Sequence, residues 1–397
     1  MNSISKSRVA SIDILRAITM LLMIFVNDLW SLTNIPLWLE HTAATEDGMG
    51  VADAVFPAFL FIVGLSIPYA IAARKNKGDS KLDLVWHILF RSLALVVMGV
   101  FLVNGEYINE AATGMPRVVW NMICCTCFII LWNNYPGKKY KTLIRLFKML
   151  AISTLAFLAW LFAAGETGSI TSFSTYWWGI LGLIGWAYLT CALIYVLGNE
   201  KLVINLIVWL FFLALCTFNH AQLLPANKYL SALVSPVGEG AMTALVMGGV
   251  VVSQLFRTSL QKFGYRKIIV IFLSLSALLI LFGFALRPIG GISKIKATPS
   301  WVLICSGITL LLFMLLYYLA DVLRKENIFK IIKPAGNNTL LCYLLPYYAY
   351  GIPVLLSLHL PALLLTGVVG LVKSFVFALL MVIIAGWLGN LNVRLKL

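Results

Sequence analysis

DAVFPAFLFIVGLSIPYAIAARKNK, residues 53–77, reads as one membrane span running from an acidic end into a basic one. Its apolar stretch is long enough to cross a hydrocarbon core of about 30 Å, and a soluble core helix has no need of such a run. Comparable runs recur near 11–31, 84–103, 117–132, 147–164, 178–197, 202–218, 239–256, 267–286, 300–321, 338–353 and 362–388. The expected fold is therefore all-α and polytopic, with about twelve transmembrane helices and both termini in the cytoplasm. No polar stretch is long enough for a separate soluble domain, so residues 1–397 are read as a single transmembrane domain.

Composition agrees. The chain is 61% hydrophobic and 11% charged, whereas soluble domains run at roughly 45–50% apolar and about 25% charged. The net charge of +15 would suit nucleic acid, but its distribution argues otherwise. Most of the 30 Lys and Arg residues fall in alternate connections: Arg74, Lys75, Lys77 and Lys81, then Lys138, Lys139, Lys141, Arg145 and Lys148. Arg257, Lys262, Arg266 and Lys267, then Arg324, Lys325, Lys330 and Lys333, continue the series. The intervening connections hold only Arg117, Lys228, Arg287, Lys294 and Lys296. Such alternation is the positive-inside signature, and it favours anionic headgroups rather than DNA. The first apolar run is interrupted by Asp13 and Arg16 and lacks a small-residue cleavage site, so it is expected to stay as helix 1.

The seven cysteines all fall within expected helices and lack metal-ligand spacing, which makes them packing residues. No metal site is expected. Chemistry is sought among polar residues at membrane depth, which are costly unless paired or facing water. Asp13 and Arg16, three apart, share a helix face and are read as an ion pair. Arg91 lies deep enough to serve either a structural carboxylate or an anionic ligand. Asn27 and Asp28 end helix 1, and Asp53 is read as the N-cap of helix 2. Between them stands His41, flanked in sequence by Glu40, Glu46, Asp47 and Asp53. Carboxylates beside an imidazole fix its tautomer and suit it to proton transfer near neutral pH. Lys294 and Lys296 break the charge alternation just before Thr298, either as solvated charges or as a site for an anionic ligand. Asn337 and Asn338 are read as helix caps, and Trp30, Trp38, Trp177, Trp178 and Trp301 as an interfacial belt.

These residues carry a resemblance. RVASIDILRAITMLLMIFVN at 8–27, then His41, then GVADAVFPAFLFIVGLSI resembles the start of the heparan-α-glucosaminide N-acetyltransferase family of transmembrane acyltransferases. FRSLALVVMGVFLVN at 90–104, the segment 292–322 with TPSW and LLYYLADV, and GNNTLLCY at 336–343 resemble later family blocks. The resemblance implies transfer of an acetyl group from cytosolic acetyl-CoA to an amino sugar or glycan acceptor on the outer side of a bacterial inner membrane. It makes His41 the catalytic histidine, with Asn27 and Asp53 at the reaction centre. Arg91, Asn104, Ser300 and Asn338 would lie toward the donor, and Lys294 at the outer mouth. A lipid bilayer, a small-molecule or glycan acceptor and a homodimer are the implied partners. The chain departs from the family pattern at TAATEDGMG after His41, at Trp120 and Asn121, and at Leu345 and Pro346. The segments 178–197 and 202–218 look like a hairpin added to a ten-helix core. A secondary transporter or glycan/lipid flippase without chemistry, and a family member serving only as a scaffold, are the competing readings.

Overall fold

The computed structural model describes residues 9–135, 140–165, 170–223 and 239–396; Lys138, Lys139 and Lys228 lie outside them. All twelve expected segments form helices: α1 (Ala10–Asp28), α2 (Val51–Lys75), α3 (Lys81–Tyr107), α4 (Arg117–Trp132), α5 (Lys141–Leu161), α6 (Gly179–Leu197), α7 (Leu202–His220), α8 (Ala241–Lys262), α9 (Tyr265–Ala285), α10 (Pro299–Leu316), α11 (Thr339–Leu355) and α12 (Gly367–Asn390). Ten are long and apolar enough to cross a bilayer, while α4 and α11 are shorter. The protein is a multi-pass helical membrane protein.

Several boundaries differ from expectation. Helix α5 begins at Lys141 rather than near 147, and α8 runs on to Lys262, so their basic residues ride on helix rather than loop. Long Lys and Arg side chains reach the polar interface from a continuing helix, and the charge need not end it. Helix α12 starts only at Gly367, whose φ of 54° breaks it from the 3₁₀ turn Ala362–Leu365.

Hydropathy sorts the helices by position. Helix α8, with mean hydropathy 1.3, is 78% buried, whereas α9, at 2.8, is 28% buried. Inside a bilayer the most apolar helices face lipid, and interior helices use small residues that let backbones approach. Helices α2 and α8 cross through such residues. A Cβ added at Gly64 would lie 1.9 Å from the Val246 carbonyl oxygen, and one at Gly249 would lie 2.1 Å from that of Phe61. Helices α3 and α6 meet in the same way at Gly99 and Gly182. A π-helical turn, Tyr317–Val322, ends α10 and carries Asp321, whose carboxylate accepts the Ala10 and Ser11 amides at 3.0 and 3.1 Å. That contact satisfies two of the free donors that begin α1. Val9 and Lys396 line one cavity, so both described chain ends lie at the same end of the bundle, called here the basic end. His41 lies at the other.

Gly64→Ala should therefore destabilise the purified protein by the roughly 1–3 kcal/mol or more that overpacking costs, read as a lower melting temperature. Gly264→Ala, whose Cβ meets nothing within 4 Å, should leave it unchanged. Equal melting of the two variants would contradict this account of the crossing.

Candidate active site

The loop from α1 to α2 is built around a close backbone approach. A Cβ on Gly50 would lie 1.9 Å from the Glu40 carbonyl oxygen, so only glycine lets the chain before His41 lie against the start of α2. Gly50, not Asp53, occupies the N-cap, which corrects the sequence expectation. Asp53 sits in the first turn, where its carboxylate has more partners than capping requires. Its Oδ2 accepts the backbone amides of Gly50 and Thr42, each at 3.0 Å, and its Oδ1 lies 2.7 Å from His41 Nδ1. The positive end of the α2 dipole adds to the stabilisation of that charge.

A carboxylate only accepts hydrogen bonds, so the contact assigns the proton to Nδ1 and leaves the lone pair on Nε2. The Asp53 side chain is 1% exposed and that of His41 is 44% exposed. The orienting group is shielded and the imidazole is accessible. Lys294 Nζ lies 3.2 Å from Nδ1 and 3.4 Å from Nε2. Near-equal distances place the ammonium beside the ring rather than along either lone pair, so it acts through its charge. Burial pulls Lys294 below the ordinary lysine value of 10.5, while the Asp53 charge opposes the shift.

The Lys294 loop is stapled to the His41 loop. Asp47 Oδ2 accepts from Arg287 Nε at 2.8 Å, Oδ1 accepts from the Ile292 amide at 2.7 Å, and the Gly48 amide donates to the Ile292 carbonyl at 3.0 Å. The Ile292 amide and the Arg287 guanidinium hold the Asp47 carboxyl below its usual range. Of the four carboxylates expected around His41, Asp53 makes the imidazole contact and Asp47 serves the neighbouring loop. Trp301 is also corrected. It is fully buried, and its Nε1 donates to the Asp53 carbonyl oxygen at 3.0 Å, which braces the first turn of α2 rather than a membrane interface.

His41, Lys294 and Asn27 line a cavity of about 240 Å³ whose walls are otherwise mostly apolar, Trp177 and Trp301 among them. A larger cavity of about 570 Å³ opens at the basic end and is lined by Asp13, Arg16, Ser66, Arg91, Asn337 and Lys396 among others. Met23 and Ile180 belong to the walls of both, so the cavities adjoin at an apolar joint. Arg16 donates to Asp13 at 3.2 Å, which realises the expected ion pair, and also to Ser66 Oγ at 2.6 Å and the Gly336 carbonyl at 3.4 Å. The Arg91 guanidinium stacks over the Tyr188 ring at 4.8 Å, with no hydrogen-bond partner for its Nε among the described residues.

Four sequence-nominated residues lie outside both cavity walls, Asp53 among them, behind the His41 ring that it orients. Asn104 is fully buried and spends its side chain on the backbone of Val100 and Ser174, locking α3 to the segment before α6. Ser300 is fully buried in the first turn of α10. Asn338 stands at the N-cap position of α11 without capping it, and its amide donates to the Ala385 carbonyl at 3.4 Å. Asn337 lines the basic-end cavity in its place. Sequence reasoning also missed Met23, Ile180 and the buried cluster next to Asn27. There Lys373 Nζ and Ser374 Oγ donate to Asp28 Oδ2 at 2.7 and 2.6 Å, and Tyr350 donates to Oδ1 at 3.0 Å. A lysine within an apolar span was the available signal; its partner was 345 residues away.

The fold and the site define a class: a multi-pass helical membrane protein with a histidine–carboxylate pair over a cavity at one end and a cation-lined cavity at the other. Residues 8–113 match the family described as heparan-alpha-glucosaminide N-acetyltransferase, catalytic. Heparan-alpha-glucosaminide N-acetyltransferase of Mus musculus is 36% identical over 107 residues, 26% of this chain and 15% of the relative. The Homo sapiens protein is 36% identical over 104 residues, 25% of this chain and 14% of the relative. Through this N-terminal quarter the chain is similar to the heparan-α-glucosaminide N-acetyltransferase family. The matched stretch spans about one seventh of the curated relatives' length. It contains Asn27, His41, Asp53, Arg91 and Asn104, whereas Lys294, Ser300 and Asn338 lie beyond it.

Removing one partner of a buried ion pair costs about 3–5 kcal/mol, and replacing both costs far less. Lys373→Met alone should therefore destabilise the purified protein more than Lys373→Met with Asp28→Asn. Denaturant unfolding in detergent checks the order, and a double variant weaker than the single would refute the pairing.

Proposed function

We propose that this chain is a transmembrane acyltransferase that moves an acetyl group from acetyl-CoA to the amine of a glucosamine-type sugar or glycan. The observation that carries the reading is that His41, oriented by the buried Asp53 carboxylate, lines a cavity that shares Met23 and Ile180 with the wall of the basic-end cavity. A thioester held at the basic end could reach through that joint to the imidazole. By the positive-inside rule the basic end faces the cytoplasm, which puts the donor inside and the acceptor outside a bacterial inner membrane. The whole chain acts as one unit in this reading, since Lys294 and Arg91 come from distant segments.

At the basic end, Arg16, Arg91 and Lys396 supply positive charge suited to the donor's phosphates. The acceptor amine attacks the thioester carbonyl while His41 Nε2 takes its proton, a role worth roughly 10²–10⁴-fold in rate. Asp53 offsets the charge of the imidazolium so formed. Lys294 and Asn27 line the same cavity and serve as donors for the oxyanion that develops on the carbonyl. The C–S bond then breaks, and the departing thiolate receives the proton from His41. The apolar joint keeps water from linking the two faces.

Two measurements test this. Purified protein should transfer label from acetyl-CoA to a glucosamine-type acceptor, and His41→Ala should lower the rate by about 10²-fold or more while preserving monodispersity. Undiminished turnover in that variant would exclude His41 as base. Lys294 is charged below its lowered pKa and neutral above it, so activity should fall at alkaline pH, below the ordinary lysine value of 10.5. Lys294→Arg should move that fall to higher pH, and Lys294→Gln should remove it at reduced rate. An alkaline limb identical in all three would show that Lys294 takes no part.

A further inference from the structure

A second basic feature lies away from both cavities. Helix α5 is peripheral, with only 17% of its span buried. Lys141, Arg145 and Lys148 follow one another at helical spacing and so share one face. Together with Asn134, Tyr135 and Ile152 they line an open groove of about 650 Å³ between α5 and the end of α4.

Several cations elsewhere at this end are already engaged. Arg74 pairs with Asp79, Lys75 with Glu200, and Arg257 donates to the Pro68 carbonyl. Lys141, Arg145 and Lys148 have no carboxylate partner among the described residues, and Lys148 only stacks over the Tyr135 ring at 5.7 Å. One turn further into the bilayer, α5 exposes Met149, Leu150 and Ile152, then Phe157 and Trp160. Unpaired cations above a lipid-facing apolar wall match one chemistry, an anionic headgroup carrying acyl chains. Each Lys or Arg near such a headgroup adds about 1 kcal/mol of attraction, and basic grooves between membrane helices at the cytoplasmic side are suited to such lipids. The apolar wall distinguishes this occupant from a free anion, which would gain nothing from it.

We propose that the α4–α5 groove is a binding site for an anionic phospholipid, held by Lys141, Arg145 and Lys148. The site is independent of acyl transfer and would persist if that reading failed.

Native mass spectrometry of the full chain in neutral detergent, titrated with phosphatidylglycerol or with phosphatidylcholine of the same acyl chains, tests it. The unmodified protein should retain phosphatidylglycerol in preference, and the triple variant Lys141→Gln, Arg145→Gln, Lys148→Gln should lose that retention by about tenfold or more. The charge-matched triple Lys262→Gln, Arg266→Gln, Lys267→Gln should keep it, and the single variant Lys148→Glu guards against misfolding of the first triple. Equal retention of the two lipids, or equal loss in both triples, would overturn the proposal. So would displacement of phosphatidylglycerol by inorganic phosphate, which would make the groove a free-anion site.

Discussion

The carboxylate of Asp53 is the interaction on which the arrangement at the histidine end depends. It is buried in the first turn of α2, where the helix dipole and three donors, the Gly50 and Thr42 amides and His41 Nδ1, converge on two oxygens. Charge-assisted hydrogen bonds of this kind are roughly twice as strong as neutral ones. A histidine on a long loop would otherwise sample many positions, and fixing it costs backbone and rotamer entropy. Asp53 offsets that cost with a single rigid group. The close approach at Gly50 and the Trp301 brace hold the helix turn that carries it. Asp47 brings in the loop bearing Lys294 by the same device, a carboxylate reading a backbone amide and a guanidinium.

The bilayer imposes the remaining order. Polar groups within it persist only when satisfied, and the bundle satisfies them in discrete clusters: Arg16 with Asp13 and Ser66, Asp28 with Lys373 and Ser374, Asp321 with the start of α1. Each cluster ties α1 to another helix, so the helix that presents Asn27 and Met23 is anchored along its whole length. Glycine crossings bring α2 against α8 and α3 against α6. The two cavities share walls from α1, α2 and α6.

In the proposed reaction the apolar joint reconciles two demands. A path through a membrane must let a reacting group pass and still stop ions. Met23 and Ile180 are flexible or compact apolar side chains, and water gains no hydrogen bonds at such a joint. A pantetheine-like arm, slender and only partly polar, suits it better than a hydrated ion does. Polar character is concentrated at the two ends, cations at one and the imidazole at the other.

The sequence alone determined the membrane class, all twelve helical segments, the Asp13–Arg16 pair and the nomination of His41. Each of these depends on local composition or short spacing, because span length, charge alternation and i,i+3 neighbours are properties of a continuous stretch of chain. Tertiary structure decided the rest. It singled out Asp53 from four candidate carboxylates as the partner of His41, seated Lys294 beside that ring, and turned Trp301 from belt to brace. It also spent Asn104 and Asn338 on backbone carbonyls and paired Asp28 with Lys373. Those assignments depend on which helices touch, and helix contacts are set by small-residue crossings and mutual burial across hundreds of residues. No period or motif within a single segment encodes them.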